Sequence, residues 1–231
     1  MPSTRQKVAP ALLLLPMKAP SRAKTRLRAS LHTDIPHERV VHALFCDTLS
    51  AALSCPDVAN VLVLTTDRRI SQEARALGAQ VWTEEDPRAE LNHTLQSAAS
   101  TAYQQGLRIG VLPGDLPALR PHELGQALAA AGTQRAFCAD RHSTGTTLLL
   151  AGEAPLAPQF GPGSAQAHRQ SGAKQLLGEW KSLRTDVDTA TDLLAAATLG
   201  LGQRTTALLR SSLPPAAQVP DGGTGVSAVR R

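Results

Sequence analysis

Short apolar runs bounded by turn residues alternate along this chain with longer stretches whose apolar positions recur every three or four residues. The runs predict strands over 11–15, 58–65, 80–83, 108–112, 135–139, 146–151 and 182–185. The helical pattern covers 37–54, 69–77, 92–105, 121–131 and 166–178, and a further helical-looking stretch covers 189–199. Such alternation predicts an α/β fold, a mainly parallel sheet with helices on both faces. Residues 1–7 are polar, and 211–231 run through Pro-Pro and Gly-Gly without periodicity. Both read as poorly ordered ends around one domain spanning 8–210.

At 231 residues a single domain suffices, able to bury roughly 70–75% of its unfolded surface. Cys46, Cys55 and Cys138 are odd in number and widely spaced. A disulfide framework or zinc site is therefore not expected, and reduced thiols in a cytoplasmic protein fit better. The apolar stretch 8–15 is short for a secretory leader and lacks a small-residue cleavage site, so a buried first strand explains it. No segment approaches the roughly 18 apolar residues of a membrane span. The net charge of +5 fits either nucleic acid or an anionic small molecule. Aromatic residues make up only 3% of the chain, which leaves little for bases to stack on, so anionic metabolites are the expected partners and nucleic acid is not.

The run 108–112 ends in Pro113-Gly114-Asp115-Leu116-Pro117, an acid between Gly and Pro at the end of a buried strand. Ligands bind outside the carboxyl ends of strands in open α/β sheets. Asp186 and Asp188 stand two residues apart, on one side of an extended segment. Each acid alone fits a turn, and Asp188 also fits an N-cap for the helix that follows. Together, without His or Cys companions, they suit a hard cation such as Mg2+ and phosphate chemistry. After the first strand come Lys18, Arg22, Lys24 and Arg26, a basic loop that is neither a Walker A nor a dinucleotide fingerprint. The loop 85–91 leads to Asn92, which reads most simply as an N-cap and more sharply as a base or ribose contact. Two Gly- and hydroxyl-rich turns, Ser143 to Thr147 and Phe160 to Ser164, offer anion nests, with His168 downstream.

Taken together, Pro16-x-Lys18, Ala23-Lys24-x-Arg26-Leu27, Glu90-Leu91-Asn92, Gly114-Asp115-Leu116-Pro117, Gly145-Thr146-Thr147, Phe160-Gly161-x-Gly163-Ser164 with His168, and Asp186-x-Asp188 give the chain its family likeness. The set resembles the CofC/FbiD guanylyltransferases of coenzyme F-420 biosynthesis, in order and with similar spacing from about Leu12 to Thr206. The resemblance implies a Rossmann-like nucleotidyltransferase (GT-A-like) sandwich that joins GMP from GTP to a phosphorylated three-carbon acid and releases pyrophosphate. It implies Mg2+ on Asp115, Asp186 and Asp188, the nucleotide on Lys18, Lys24, Arg26, Asn92 and Gly114, and the acceptor on Thr146, Gly161 and Ser164. Asp115, Lys18 and Lys24 would be the catalytic groups, and a homodimer stays open.

One departure bears on the acceptor. Family members often carry Gly where this chain has Ser143, in an Asp-x-x-Gly-Thr-Gly-Thr context, so His142 and Ser143 add polar groups beside the acceptor turn. Among 3-phospho-D-glycerate, phosphoenolpyruvate and 2-phospho-L-lactate, they favour 3-phospho-D-glycerate, whose hydroxyl needs a partner. Two other readings stay open: a molybdopterin or sugar-phosphate nucleotidyltransferase, which normally opens with a Gly-rich loop that 16–27 lacks, and a basic nucleic-acid-binding protein without catalysis.

Overall fold

Strand β1 (Ala11–Pro16) is apolar throughout because both of its faces are covered. Successive side chains of a strand point to opposite sides. Leu13 and Leu15 therefore join Phe45, Val61 and Leu112 on one face, while Leu12 and Leu14 join Leu95, Ile109 and Val111 on the other. A strand so placed loses the polar alternation of a half-exposed sheet.

The computed structural model describes residues 9–31, 33–83, 90–103 and 107–211. The expected loose ends, apart from Ser211, and the loop 85–89 lie outside the described residues. Six further strands are β2 (Val58–Leu64), β3 (Gln80–Trp82), β4 (Arg108–Val111), β5 (Ala136–Ala139), β6 (Thr146–Leu150) and β7 (Lys174–Gln175). The helices are α1 (Thr25–Ser30), α2 (His37–Leu53), α3 (Arg68–Ala76), α4 (Leu91–Tyr103), α5 (Pro121–Ala131), α6 (Ser164–Gln170), α7 (Lys181–Arg184), α8 (Ala190–Leu199) and α9 (Gln203–Arg210). The sheet order is β3-β2-β1-β4-β6-β5-β7. Pairing is parallel except that β6 runs antiparallel to both β4 and β5. The mainly parallel α/β sheet read from the sequence is the one observed. No described helix is long and apolar enough to cross a membrane, and the three cysteines are free and buried.

Two expectations are corrected. The segment 182–185, read as a strand, forms helix α7, whose first turn is capped by Glu123 of α5: its carboxylate accepts from Ser182 N at 2.8 Å, Ser182 Oγ at 2.7 Å and Leu183 N at 3.3 Å. The helix expected over 166–178 starts at Ser164 and stops at Gln170, because Gly172 turns left-handed (φ 86°) and leads into β7.

Helix α9, absent from the sequence reading, is held from a distance. Buried Asp47 of α2 accepts from Arg204 N at 2.9 Å and Thr205 N at 2.8 Å, an N-cap supplied by another element. Gly202 is required there, since a Cβ would lie 2.3 Å from the Asp47 carboxyl carbon. Asp47→Ala should lower stability by about 1–2 kcal/mol, read as a reduced urea midpoint with the circular dichroism of the sheet retained. An unchanged midpoint would mean that α9 docks without this cap.

Candidate active site

In this sheet β2 and β3 lie to one side of β1, and β4 with its followers to the other. The chain order reverses between β1 and β4, which opens a crevice at their carboxyl ends. The loop after β1 carries Lys18 and Lys24, and the loop after β4 carries Gly114 and Asp115. The antiparallel run of β6 adds a third contributor, since pairing of Val111 with Leu149 carries its first residue, Thr146, past the end of β4.

Hydrogen bonds donated by the backbone hold the acidic segments in place. Val187 N donates to Asp115 O at 3.0 Å, Leu116 N to Thr48 Oγ1 at 2.8 Å, and Gly202 N to Pro117 O at 2.7 Å. Thr185 and Val187 are buried, Val187 among Leu27, Leu44 and Leu193, so Asp186 and Asp188 project the other way. Thr189, not Asp188, caps α8, in a reciprocal capping box with Asp192. Asp192 also accepts from Asp188 N at 3.2 Å and pairs with Arg141, which fixes the acidic segment from behind.

One carboxylate oxygen from each of Asp115, Asp186 and Asp188 lies within 4.8 Å of the others. Lys24 Nζ is set among them, bonded to Asp115 and 2.5 Å from Asp188 Oδ1. Burial pulls the Lys24 ammonium down, but Asp115 and Asp188 outweigh it and hold its pKa above the usual lysine value. Asp186 is pushed up to about 7, first by burial and then by Asp115, against the opposing pull of Lys24. Asp115 Oδ1 is buried with no hydrogen-bond partner. Three acids with one ammonium and one orphaned oxygen lack positive charge, and an all-oxygen donor set fits a hard divalent cation such as Mg2+.

These residues line a cavity of about 510 Å³. Lys18, Arg26 and Gly114 line it, Lys18 and Arg26 at exposed positions, and Gly145, Thr146, Gly161 and Ser164 line it too. Gly114 packs so closely that a Cβ would lie 2.9 Å from Leu15. Asn92 is corrected as a cap: α4 begins at Leu91, and the Asn92 amide grips the backbone of Phe160 at both ends, with Nδ2 donating to Phe160 O at 3.0 Å and Oδ1 accepting from Phe160 N at 2.8 Å. It holds the loop that carries Gly161.

Ser143 and His142, expected beside the acceptor, are not among the residues lining this cavity. His142 is exposed, with Nε2 3.7 Å from Asp192 Oδ1. Ser143 occupies the left-handed region (φ 60°), where Gly fits without strain. Asp140, which the motif reading passes over, organises that turn by accepting from Thr144 N at 2.9 Å and Gly145 N at 2.8 Å. A separate cluster of His42, Cys46 and Glu73 is closed on itself: Arg204 pairs with Glu73 at 3.0 Å, and burial first, then Glu73, pushes the Cys46 thiol up to about 12.

The charge imbalance has a measurable consequence. In metal-free buffer Asp186→Asn should leave the melting temperature unchanged or raise it, because one of three mutually repelling carboxylates is removed. In saturating Mg2+ the order should reverse, with wild type the more stable. A variant that tracks wild type in both buffers would remove the cation-site reading.

Residues 11–214 match the family model described as "Guanylyl transferase CofC like". A phosphoenolpyruvate guanylyltransferase of Salinispora arenicola is 49% identical over 208 residues, covering 88% of this chain and 95% of that protein. One of Mycolicibacterium gilvum is 45% identical over 197 residues, covering 84% and 92%. Among solved structures, a nucleotidyl transferase from Methanothermobacter thermautotroptrophicus has the same fold, with a TM-score of 0.54 at 16% identity, covering 88% of this chain and 99% of that one. The chain belongs to the CofC-like guanylyl transferase family, and it is a nucleotidyltransferase of the guanylyltransferase class.

Proposed function

We propose that this enzyme joins GMP from GTP to phosphoenolpyruvate and releases pyrophosphate, in the biosynthesis of coenzyme F-420. The observation that carries the proposal is the meeting, in one cavity, of a carboxylate cluster that lacks positive charge, a basic loop and a neutral cradle of Thr146, Gly161 and Ser164. The relatives named for phosphoenolpyruvate support the acceptor. The preference for 3-phospho-D-glycerate rests on Ser143 and His142. With both outside the cavity lining, that basis falls away.

The acceptor phosphate is already an anionic nucleophile, so no protein base has to deprotonate it. The barrier is the repulsion between its oxygens and the α-phosphate of GTP, together with the charge gathering on departing pyrophosphate. Lys18, Lys24 and Arg26 set positive charge along the nucleotide side of the cavity and offset both. Thr146, Ser164 and the backbone at Gly161 hold the acceptor so that attack is in line. Asp115, Asp186 and Asp188 would hold Mg2+, which when bound supplies charge neutralisation at the reacting phosphates.

Incubating the protein with GTP, Mg2+ and, separately, phosphoenolpyruvate, 2-phospho-L-lactate and 3-phospho-D-glycerate tests the proposal through pyrophosphate release and product mass. Phosphoenolpyruvate should give the largest kcat/KM, and Asp115→Asn should remove turnover while keeping the circular dichroism of wild type. No transfer to any of the three acids would overturn it. Ser143→Gly should stabilise the protein by up to about 1 kcal/mol, through relief of its left-handed backbone, and leave the ratio of kcat/KM among the acids unaltered. A changed ratio would return Ser143 to the acceptor site.

A further inference from the structure

His168 is fully buried behind the acceptor side of the cavity, tilted against Phe137 and edge-on to Phe160, with ring centroids 5.9 and 5.2 Å away. Its two nitrogens have different partners. Gln159 N donates to Nε2 at 2.9 Å, and Nδ1 lies 2.9 Å from Thr146 Oγ1. A backbone N–H can only donate, so Nε2 is the unprotonated nitrogen and the neutral ring carries its proton on Nδ1. Burial, with Arg135 adding to it, pulls the ring down to about 4 and keeps it neutral. Nδ1–H therefore donates to Thr146 Oγ1.

This direction decides what the cavity presents. Ser164 Oγ lies 3.2 Å from Thr146 Oγ1, so one of these hydroxyls donates to the other. Since Thr146 already accepts from His168, whichever hydroxyl does not donate within the pair keeps a hydrogen for the cavity, and both residues line it. The opposite tautomer would take the Thr146 hydrogen. A Ser164–Thr146 bond would then use the Ser164 hydrogen and leave only lone pairs toward the ligand, and a donor could be offered only by breaking that bond. Anionic oxygens accept and never donate, so the first arrangement attracts them and the second repels them.

We propose that His168, its tautomer fixed by the Gln159 backbone N–H, is a positioning residue that sets the Thr146–Ser164 hydroxyl pair as a hydrogen-bond donor to an anionic oxygen of the acceptor acid. It deepens the functional reading above and rests on it for the identity of the acid. The same bond ties the 156–163 loop to α6, while Asn92 grips Phe160 and Arg135 binds Leu156 O and Ala157 O, each at 2.9 Å. The donor hydroxyls and the Gly161 backbone are thus held in one frame.

Nitrogen-15 NMR of the wild-type imidazoles tests the tautomer without any substitution. His168 should show a protonated Nδ1 and a bare Nε2, and the reverse assignment overturns the proposal. Two variants test the consequence. His168→Phe keeps an aromatic ring but neither donates nor accepts, and it should raise KM for phosphoenolpyruvate on the order of ten- to a hundredfold, with KM for GTP unchanged. His168→Asn places an amide N–H near the position of Nδ1 and should recover most of that loss. Equal loss in both variants, or a parallel rise in both KM values, would assign His168 to general stability, with melting temperatures measured alongside. A wild-type protein inactive with all three acids would sink the functional reading while leaving the NMR result to decide the tautomer. An active wild type with an Nε2 proton would sink this inference alone.

Discussion

Mutual repulsion among Asp115, Asp186 and Asp188 is the constraint around which the rest of the structure is arranged. Two like charges about 4 Å apart repel by roughly 4 kcal/mol near a protein surface, and three acids share this space with a single ammonium. A chain free to relax would swing them apart into water. What prevents it is backbone: Val187 N on Asp115 O, Gly202 N on Pro117 O, and Asp192 pinning Asp188 N from behind. Burial of Val187 between the two downstream acids completes the restraint. Burial first, and then the crowding of negative charge, raises Asp186, and the inward Lys24 answers the same crowding.

Reversal of β6 gives the site its second half. In an all-parallel sheet, the edge beside β4 would receive another strand's carboxyl end. Here it receives an amino end, so Thr146 meets the Asp115 loop while the β5–β6 turn, held by Asp140, stays at the same edge. Charge and polarity are divided accordingly. One part of the lining carries ammonium and guanidinium groups, and another carries hydroxyls and peptide groups, with His168 bonded to the Thr146 hydroxyl.

How much of this the sequence reveals depends on how local each cause is. Strand β1 is legible because covering both faces leaves no polar position, and Asp115 is legible because an acid between Gly and Pro ends an apolar run. Asp186 and Asp188 are legible as a pair because alternation survives in the segment 185–188, although no strand forms there. Most of the errors have a different origin. Helices α7 and α9 are too short to show a period and take their caps from Glu123 and Asp47, 59 and 157 residues away in sequence. Asn92 is misread for the same reason, since its partner Phe160 is 68 residues distant. The end of α6 was available locally, in Gly172. Ser143 shows the converse risk: a polar residue in a motif suggests recognition, whereas its left-handed backbone explains why Gly suits the position.

The described cavity also limits the chemistry by what it does not offer. No histidine is among its lining residues, and His168 behind it has both nitrogens committed and a pKa far below neutrality. Lys24 is held protonated by its two carboxylates, so it cannot take a proton from a neutral acceptor. An alcohol entering this site would have only the Asp115, Asp186 and Asp188 carboxylates among the lining residues to take its proton, and holding a cation would occupy them. A phosphate needs none, because it arrives ionised and its difficulty is repulsion alone. A protonated lysine beside exposed cationic side chains suits the cavity to bringing two anions together, which is what the proposed transfer to a phosphorylated acid requires.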